Sequence, residues 1–407
     1  MIVNHLLSRL IFILIILFSI LKAQWITIKS FSSTASYSDI SCYDRNTCFV
    51  CSSKGIFKTS TGGGIWDSLG STGINASLVN SIFFIDSKTG YACGPNGLIY
   101  KTINSASSWF IVHGATNSDP CVAYTLNNIF FINQSTGFCV GAAGTILKTA
   151  DSGKTWTCNI YSGPAFNSVY FTTSLNGWAV GDNGRIMRTT DGGTTWTSQI
   201  SGTSQNLYCV FFINSNIGFA AGNGITSCVI IKTSNAGSLW QNIPNNIPSP
   251  AKRILFLNLK TGFIAASDGI YSSNDSGKTW LKMDGSLTSP CGLSFPDAFT
   301  GYELSCLGKV AKYNASGVIK PIYQTNSFNN RIKIDMINNS IIVNSYENYL
   351  IINKVILFDF AGNILYENST KLQNKIIIPK QKIKCGIIFF KIFLSEGKYL
   401  ILPKFIF

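Results

Sequence analysis

Histidine is almost missing from this chain: among 407 residues there are two, His5 and His113. A metal centre built from several imidazoles is thereby excluded, and a Ser-His-Asp triad could form only around His113. Charge is scarce too, at 12% of residues against 46% hydrophobic, so the chain is no disordered polyelectrolyte. Over residues 24–322 Glu303 is the single glutamate, and the arginines number four: Arg45, Arg185, Arg188 and Arg253. There is no Arg-rich run with interleaved aromatics, which argues against nucleic acid as a partner despite the net charge of +14. No segment reaches 18 apolar residues without a charge, so no membrane span is expected in the mature chain.

What is present begins with a targeting signal. His5 and Arg9 precede the apolar run Leu10 to Leu21, whose twelve residues are too short to cross a hydrocarbon core of about 30 Å but suit a signal h-region. Residues 1–23 therefore read as a signal peptide, with Ala23 ahead of the cut and Gln24 after it. An exported chain meets oxidising conditions, so some of its 12 cysteines are expected to pair. Eleven of them lie between Cys42 and Cys306, an odd number that forbids complete pairing within that region.

Internal repetition dominates the rest. The segment from Ser81 to Trp109 recurs in copies ending at Trp66, Trp156, Trp196, Trp240 and Trp280, followed by a degenerate copy around Gly317. The closing-turn glycines Gly63, Gly153, Gly193, Gly237, Gly277 and Gly317, with Ala106 in one copy, stand 40 to 47 residues apart. Several short strands per unit at that period predict propeller blades and exclude a helical solenoid. An aromatic follows the first turn of every unit: Phe49, Tyr91, Phe138, Trp178, Phe219, Phe263 and Tyr302. One aromatic at a fixed register in seven units predicts a core residue packed between neighbouring blades.

Each unit closes on a turn of the form [ST]-x-D-x-G-x-T-W. It is clearest through Asp151, Gly153 and Trp156, through Asp191, Gly193 and Trp196, and through Asp275, Gly277 and Trp280. Asp suits this place because it accepts hydrogen bonds from backbone N–H groups a few residues on. Gly permits a positive φ, and Trp buries a large surface. Asn104 and Asn235 replace Asp in two copies, keeping the acceptor without the charge. A carboxylate repeated on successive outer turns is a fold residue, not a catalytic one.

This turn resembles the Asp-box, or bacterial neuraminidase repeat. The whole unit resembles the photosystem II stability and assembly factor family of seven-bladed propellers, over about Trp25 to Ile322, with Gly177 to Trp196 as the best copy. The resemblance implies an all-β, seven-bladed β-propeller over residues 24–322. It also implies a binding role in which face arginines contact a client, and Arg185 and Arg188 match that type of position. A basic residue recurs before the box, at Lys58, Lys101, Lys148, Arg188, Lys232 and Lys312, and is read as solvated or box-pairing. The seventh copy has Lys320 where the box Trp belongs, while Trp25-Ile26-Thr27-Ile28 resembles the strand after every other box. The N-terminal strand is therefore expected to complete the last blade, with Trp25 in the missing position. Cys42 and Cys48 take the places of Phe84 and Gly90 of the next unit, which predicts a cross-strand disulfide. Cys121 and Cys158 are the next candidate pair.

After Gln324 the repeat stops. Residues 325–407 are rich in Ile, Asn and Lys and carry alternating short strands. Lys354 to Asn363, then Gly386 to Ile392, then Lys404 to Phe407 resemble the type IX secretion sorting domain of Bacteroidetes, with Met336 to Asn339 where a Y-P-N-P opening would stand. A generic immunoglobulin-like β-sandwich docked on the propeller is the alternative. Together these features predict a noncatalytic protein, secreted or at the outer cell surface, that binds an extracellular protein or glycan and meets the secretion machinery through its C-terminal domain. No cofactor or metal is expected. The other reading is an extracellular glycoside hydrolase, sialidase-like or another Asp-box type, drawing on Asp39, Asp119 or Asp268 with Glu303.

Overall fold

Each repeat folds into four antiparallel strands, and seven such sheets form a β-propeller. The computed structural model describes residues 24–114, 119–224 and 227–314, and beyond them the backbone of strands between 332 and 406. Blade 1 comprises Tyr37–Cys42, Cys48–Ser52, Gly55–Thr59 and Asp67–Ser68, and blade 2 comprises Ser81–Phe84, Gly90–Cys93, Ile99–Thr102 and Phe110–His113. Blades 3 to 6 span 126–160, 166–199, 206–242 and 251–282. The chain divides into two compact units, Met1–Ile319 and Lys320–Phe407. In the second, Ile332–Ile337, Ser340–Ser345 and Lys375–Pro379 form one sheet, and Ile352–Phe358, Ile364–Gln373, Gly386–Leu394 and Tyr399–Ile406 form another. Residues 1–23, expected to be a signal peptide, and Gly317, Lys320 and Asp359 to Gly362 lie outside the described residues.

The seventh blade takes its fourth strand from the other end of the propeller sequence. Pro290–Asp297, Thr300–Ser305 and Lys309–Asn314 are completed by Gln24–Ser30, which pairs antiparallel with Lys309–Asn314 and sets Trp25 opposite Tyr313. Trp25 is buried and stands edge-on to Phe295 at 5.9 Å. The box tryptophans do the same in their own blades: Trp109 on Phe84, Trp156 on Phe131, Trp196 on Phe171, Trp240 on Phe212 and Trp280 on Phe256. Trp25 therefore supplies what the seventh repeat lacks. The closure pairs an edge that would otherwise be open.

Adjacent blades are held by aromatic stacking. The recurrent aromatic of one blade lies flat on the first-strand Phe of the next: Phe49 on Phe84, Tyr91 on Phe131, Phe138 on Phe171, Trp178 on Phe212, Phe219 on Phe256 and Phe263 on Phe295. Centroid distances run from 3.5 to 4.7 Å. Each stack contributes about 0.5–1.5 kcal/mol beyond its area burial. Each Phe also covers a glycine across the strand pair. A Cβ on Gly137 or Gly218 would lie 2.5 or 2.4 Å from the ring of Phe131 or Phe212.

The interface between blades 7 and 1 is built differently. Cys42 and Cys48 stand directly opposite each other in register, where the other blades place Phe and Gly, and they form a disulfide. Tyr302 is buried in the cluster that contains Cys48 and donates its hydroxyl to the Arg45 carbonyl at 2.6 Å. The bond thus fills the volume of the missing ring. Removing it by Cys42→Ser with Cys48→Ser is expected to cost about 2 kcal/mol in denaturant melts. Cys42→Phe with Cys48→Gly should restore stability to within about 1 kcal/mol of the native chain, since it rebuilds the pair used by the other blades. A double swap no better than the serine pair would refute this equivalence.

Candidate functional site

First strands of successive blades touch one another and line the central channel. In six blades the strand carries a register shift after its first residues, between Tyr37 and Asp39, Leu126 and Asn128, Phe166 and Ser168, Leu207 and Cys209, Ala251 and Arg253, and Pro290 and Gly292. Such bulges re-aim side chains. At this level Asp39, Ser81, Asn128, Ser168 and Arg253 form a polar belt. Ser81 donates to Asp39 at 3.0 Å, Asn128 to Ser81 at 3.3 Å, and the Val169 N–H to Asn128 at 3.1 Å. Across the channel, Arg253 of blade 6 reaches Asp39 of blade 1 at 3.2 Å. Asp39 also accepts the N–H groups of Ile40 and Ile82. Its oxygens are committed and its charge is matched, which suits positioning and not proton transfer.

Two positions further along each strand the channel turns apolar. Phe83, Phe130, Tyr170 and Phe211 follow one another at 5.5, 5.3 and 4.9 Å between centroids, and Leu255 takes the same place in blade 6. All five are half-buried. Ser41 and Ser294 occupy this level in blades 1 and 7, so the aromatic arc covers one side of the mouth. A cavity of about 280 Å³ opens beside it among Phe211, Leu255, Leu257 and Phe295.

The box residues lie at the rim and are bound into their own turns. Thr149 donates to Asp151, which accepts the Thr155 N–H at 2.9 Å and its hydroxyl at 2.6 Å, and the Gly153 N–H bonds Thr149. Asp191 and Asp275 repeat the pattern with Thr195 and Thr279. The backbone donors are three and four residues on, Thr194 and Thr195 for Asp191, across a turn that contains a left-handed glycine: Gly153 has φ +76° and Gly193 +78°. These bonds from threonine hold all three carboxyls at about 2. Gly193 also leaves room for Phe138 of the preceding blade, whose ring a Cβ would meet at 2.4 Å.

The recurrent basic residue proves to be a link between blades. Each lies beside the aromatic of its own blade, and Lys101, Lys232 and Lys312 continue to the box-turn carbonyls of Ser152, Ser276 and Gly62 in the next, at 2.7, 2.9 and 2.8 Å. Arg188 belongs to this series and lies 5.6 Å from the Trp178 ring. Arg185 stacks on Phe166 at 4.3 Å and donates to the carbonyls of Tyr161 and Pro164. Arg185 is therefore bound to the loop that precedes its own blade, while Arg188 lies over the ring of its own blade.

The remaining candidate acids are dispersed. Asp119 Oδ2 and His113 Nε2 share a hydrogen bond at 2.7 Å, while the other ring nitrogen of His113 meets the Gly97 carbonyl at 2.6 Å. With both nitrogens so occupied, His113 offers none to a serine. Asp119 also caps the turn that carries Cys121, which is bonded to Cys158. Asp268 binds Lys282, Tyr271 and Ser249. Glu303 is fully buried against the Leu287 N–H. None of Asp39, Asp119, Asp268 and Glu303 is hydrogen-bonded to another carboxylate among the described residues.

Burial pushes the Glu303 carboxyl up to about 8. Between its ordinary value and 8 the folded chain keeps a proton that the unfolded chain has lost, so rising pH favours unfolding over that window. Denaturant melts should show stability falling by a few kcal/mol from pH 5 to 8, a slope absent from Glu303→Gln. Asp39→Ala should cost about 3 kcal/mol, because Arg253 and the Ser81 hydroxyl lose their shared acceptor, and Arg253→Leu in the same background should recover part of it.

A family model described as photosynthesis system II assembly factor YCF48 matches residues 158–288. No curated protein matches the chain. Among solved structures, YCF48 bound to D1 peptide is 19% identical at TM-score 0.57, covering 72% of this chain and 94% of that one. YCF48 from Cyanidioschyzon merolae is 17% identical at 0.58, covering 72% and 99%. A GH74 xyloglucanase from Xanthomonas campestris is 12% identical at 0.54, covering 74% of this chain and 55% of its own. At these identities the likeness is one of fold: the chain is similar to seven-bladed propellers of both binding and hydrolytic proteins.

Proposed function

We propose that this chain is a noncatalytic binding propeller whose aromatic channel mouth docks a segment of a partner protein. The observation that carries the reading is the arc of Phe83, Phe130, Tyr170 and Phe211, half-buried at a concave opening with Leu255 beside them. Apolar rings held partly exposed on a rigid scaffold are what protein recognition uses, and aromatics carry much of such binding energy. The commitment of Asp39 to Arg253, and of the box aspartates to their own threonines, supports a role without bond cleavage. The similar YCF48 structure with a bound D1 peptide supports a peptide or protein over a small molecule.

The setting of that role is part of the same proposal. Residues 1–23 direct export as a signal peptide, and residues 325–407 form a β-sandwich that the type IX secretion machinery reads, placing the propeller outside the cell or on its surface. The two disulfides accord with an oxidising compartment.

Cross-linking at the cell surface, followed by mass spectrometry, should name a protein partner for the native chain. Phe130→Ala with Tyr170→Ala should weaken its capture by about tenfold or more, with the fold checked by circular dichroism. Undiminished capture would overturn the assignment of the mouth. Release of product from sialosides or polysaccharides by purified protein would overturn the noncatalytic reading in favour of a glycosidase.

A further inference from the structure

Seven described cysteines are outside the two disulfides, and they differ sharply in their surroundings. Cys51, Cys93, Cys139, Cys209 and Cys228 are buried, Cys291 is partly exposed, and Cys306 is exposed. Cys291 lies in the bulge of the first strand of blade 7, between Pro290, which pairs with Ser305, and Gly292, which pairs with Leu304. The Cys306 N–H extends the same ladder by donating to Ser289 at 2.8 Å. The bulge and the strand end bring the two thiols to the same place in the ladder, with Cys291 Sγ donating to the Leu304 carbonyl at 3.5 Å. Lys252 and Arg253 of blade 6 lie close enough to act on Cys306, while Asp39 and Arg253 act on Cys291.

We infer that Cys291 and Cys306 form a redox-active dithiol at the channel rim, with Cys306 as the attacking sulfur, Cys291 as the resolving one, and an aliphatic disulfide as the co-reactant. The asymmetry of the pair assigns the roles. Cys306 is the exposed member of the pair and Cys291 the half-buried one. The neighbouring Cys291 thiol, with Lys252 and Arg253 close by, lowers the Cys306 thiol, whereas contact with Cys306, together with burial, raises Cys291. An accessible thiolate in positive surroundings attacks first.

The exchange proceeds in two displacements. Cys306 Sγ gives up its proton and attacks one sulfur of the disulfide RSSR, forming Cys306–S–S–R and expelling RS⁻, which takes that proton. Cys291 Sγ then loses its proton and attacks Cys306 Sγ, expelling the second RS⁻, which leaves as RSH. Two cysteine thiols are oxidised, and one RSSR is reduced to two RSH. The new bond ties the strand end at Ser305 to the innermost strand, one residue from the Pro290 and Gly292 pairs and beside the Arg253–Asp39 ion pair.

The test uses the full chain, first treated with dithiothreitol under conditions that spare Cys42–Cys48 and Cys121–Cys158, then exposed to oxidised glutathione and mapped by alkylation and mass spectrometry. The native chain should lose two alkylatable thiols and yield a Cys291–Cys306 peptide. Cys291→Ser should instead stop at glutathione on Cys306, accumulating that adduct at least about tenfold over the native chain. Cys306→Ser should leave Cys291 unmodified. Protein isolated with Cys291–Cys306 already joined, and reopened by dithiothreitol before the other two bonds, equally supports the assignment. A native chain that retains glutathione on Cys306, keeps both thiols alkylatable, or joins either of them to another cysteine would overturn it.

Discussion

A ring lying flat on a ring is the interaction on which this molecule depends. Four-stranded sheets of this size have too little surface to be stable alone, and each is made whole by handing one aromatic side chain to the next. Everything conserved in register from blade to blade serves that contact. The glycine opposite the first-strand Phe removes a Cβ that would push the ring out. The box Trp closes its far edge, and the box Gly lets the turn approach the neighbour's aromatic. The basic residue covers the preceding ring and grips the turn's carbonyl. The carboxylate of the box holds that turn in shape so that the other contacts can form.

This division of labour explains why the repeats vary as they do. Asn104 and Asn235 replace Asp without loss of the turn, because the acceptor oxygen and not the charge is used: Leu239 N–H donates to Asn235 at 2.9 Å as Thr155 N–H donates to Asp151. The blade 7 to blade 1 junction, where the ends of the propeller meet, replaces the Phe and Gly pair with a covalent bond. That is where an interface is most exposed to separation, since the fourth strand of blade 7 is not continuous in sequence with the other three.

Much of this was legible in the residues, and the limit has a physical origin. Period, turn chemistry and the register of the aromatics are local patterns, so blade number, the place of Trp25 and the pairing of Cys42 with Cys48 followed from spacing. The channel did not. Asp39 and Arg253 are 214 residues apart and meet because ring closure brings blade 6 and blade 1 to the same axis. Nothing near either residue signals the other. The aromatic arc was hidden for a related reason: Phe83, Phe130, Tyr170 and Phe211 sit beside the core phenylalanines in sequence, and for the last three the register after the bulge sets which of the two faces the channel. Arg185 illustrates the converse, since position in a motif does not reveal that its guanidinium already donates to the carbonyls of Tyr161 and Pro164.

Closure of the ring by the first strand is the claim from which the rest follows, and native-state hydrogen exchange tests it directly. If Gln24–Ser30 is a full member of blade 7, the amides of Trp25, bonded to the Asp284 carbonyl, and Ile26, paired with Lys312, should exchange only when the whole propeller unfolds, at the free energy shown by the inner strands. Exchange of those amides by local fraying, with the inner strands still protected, would contradict the account.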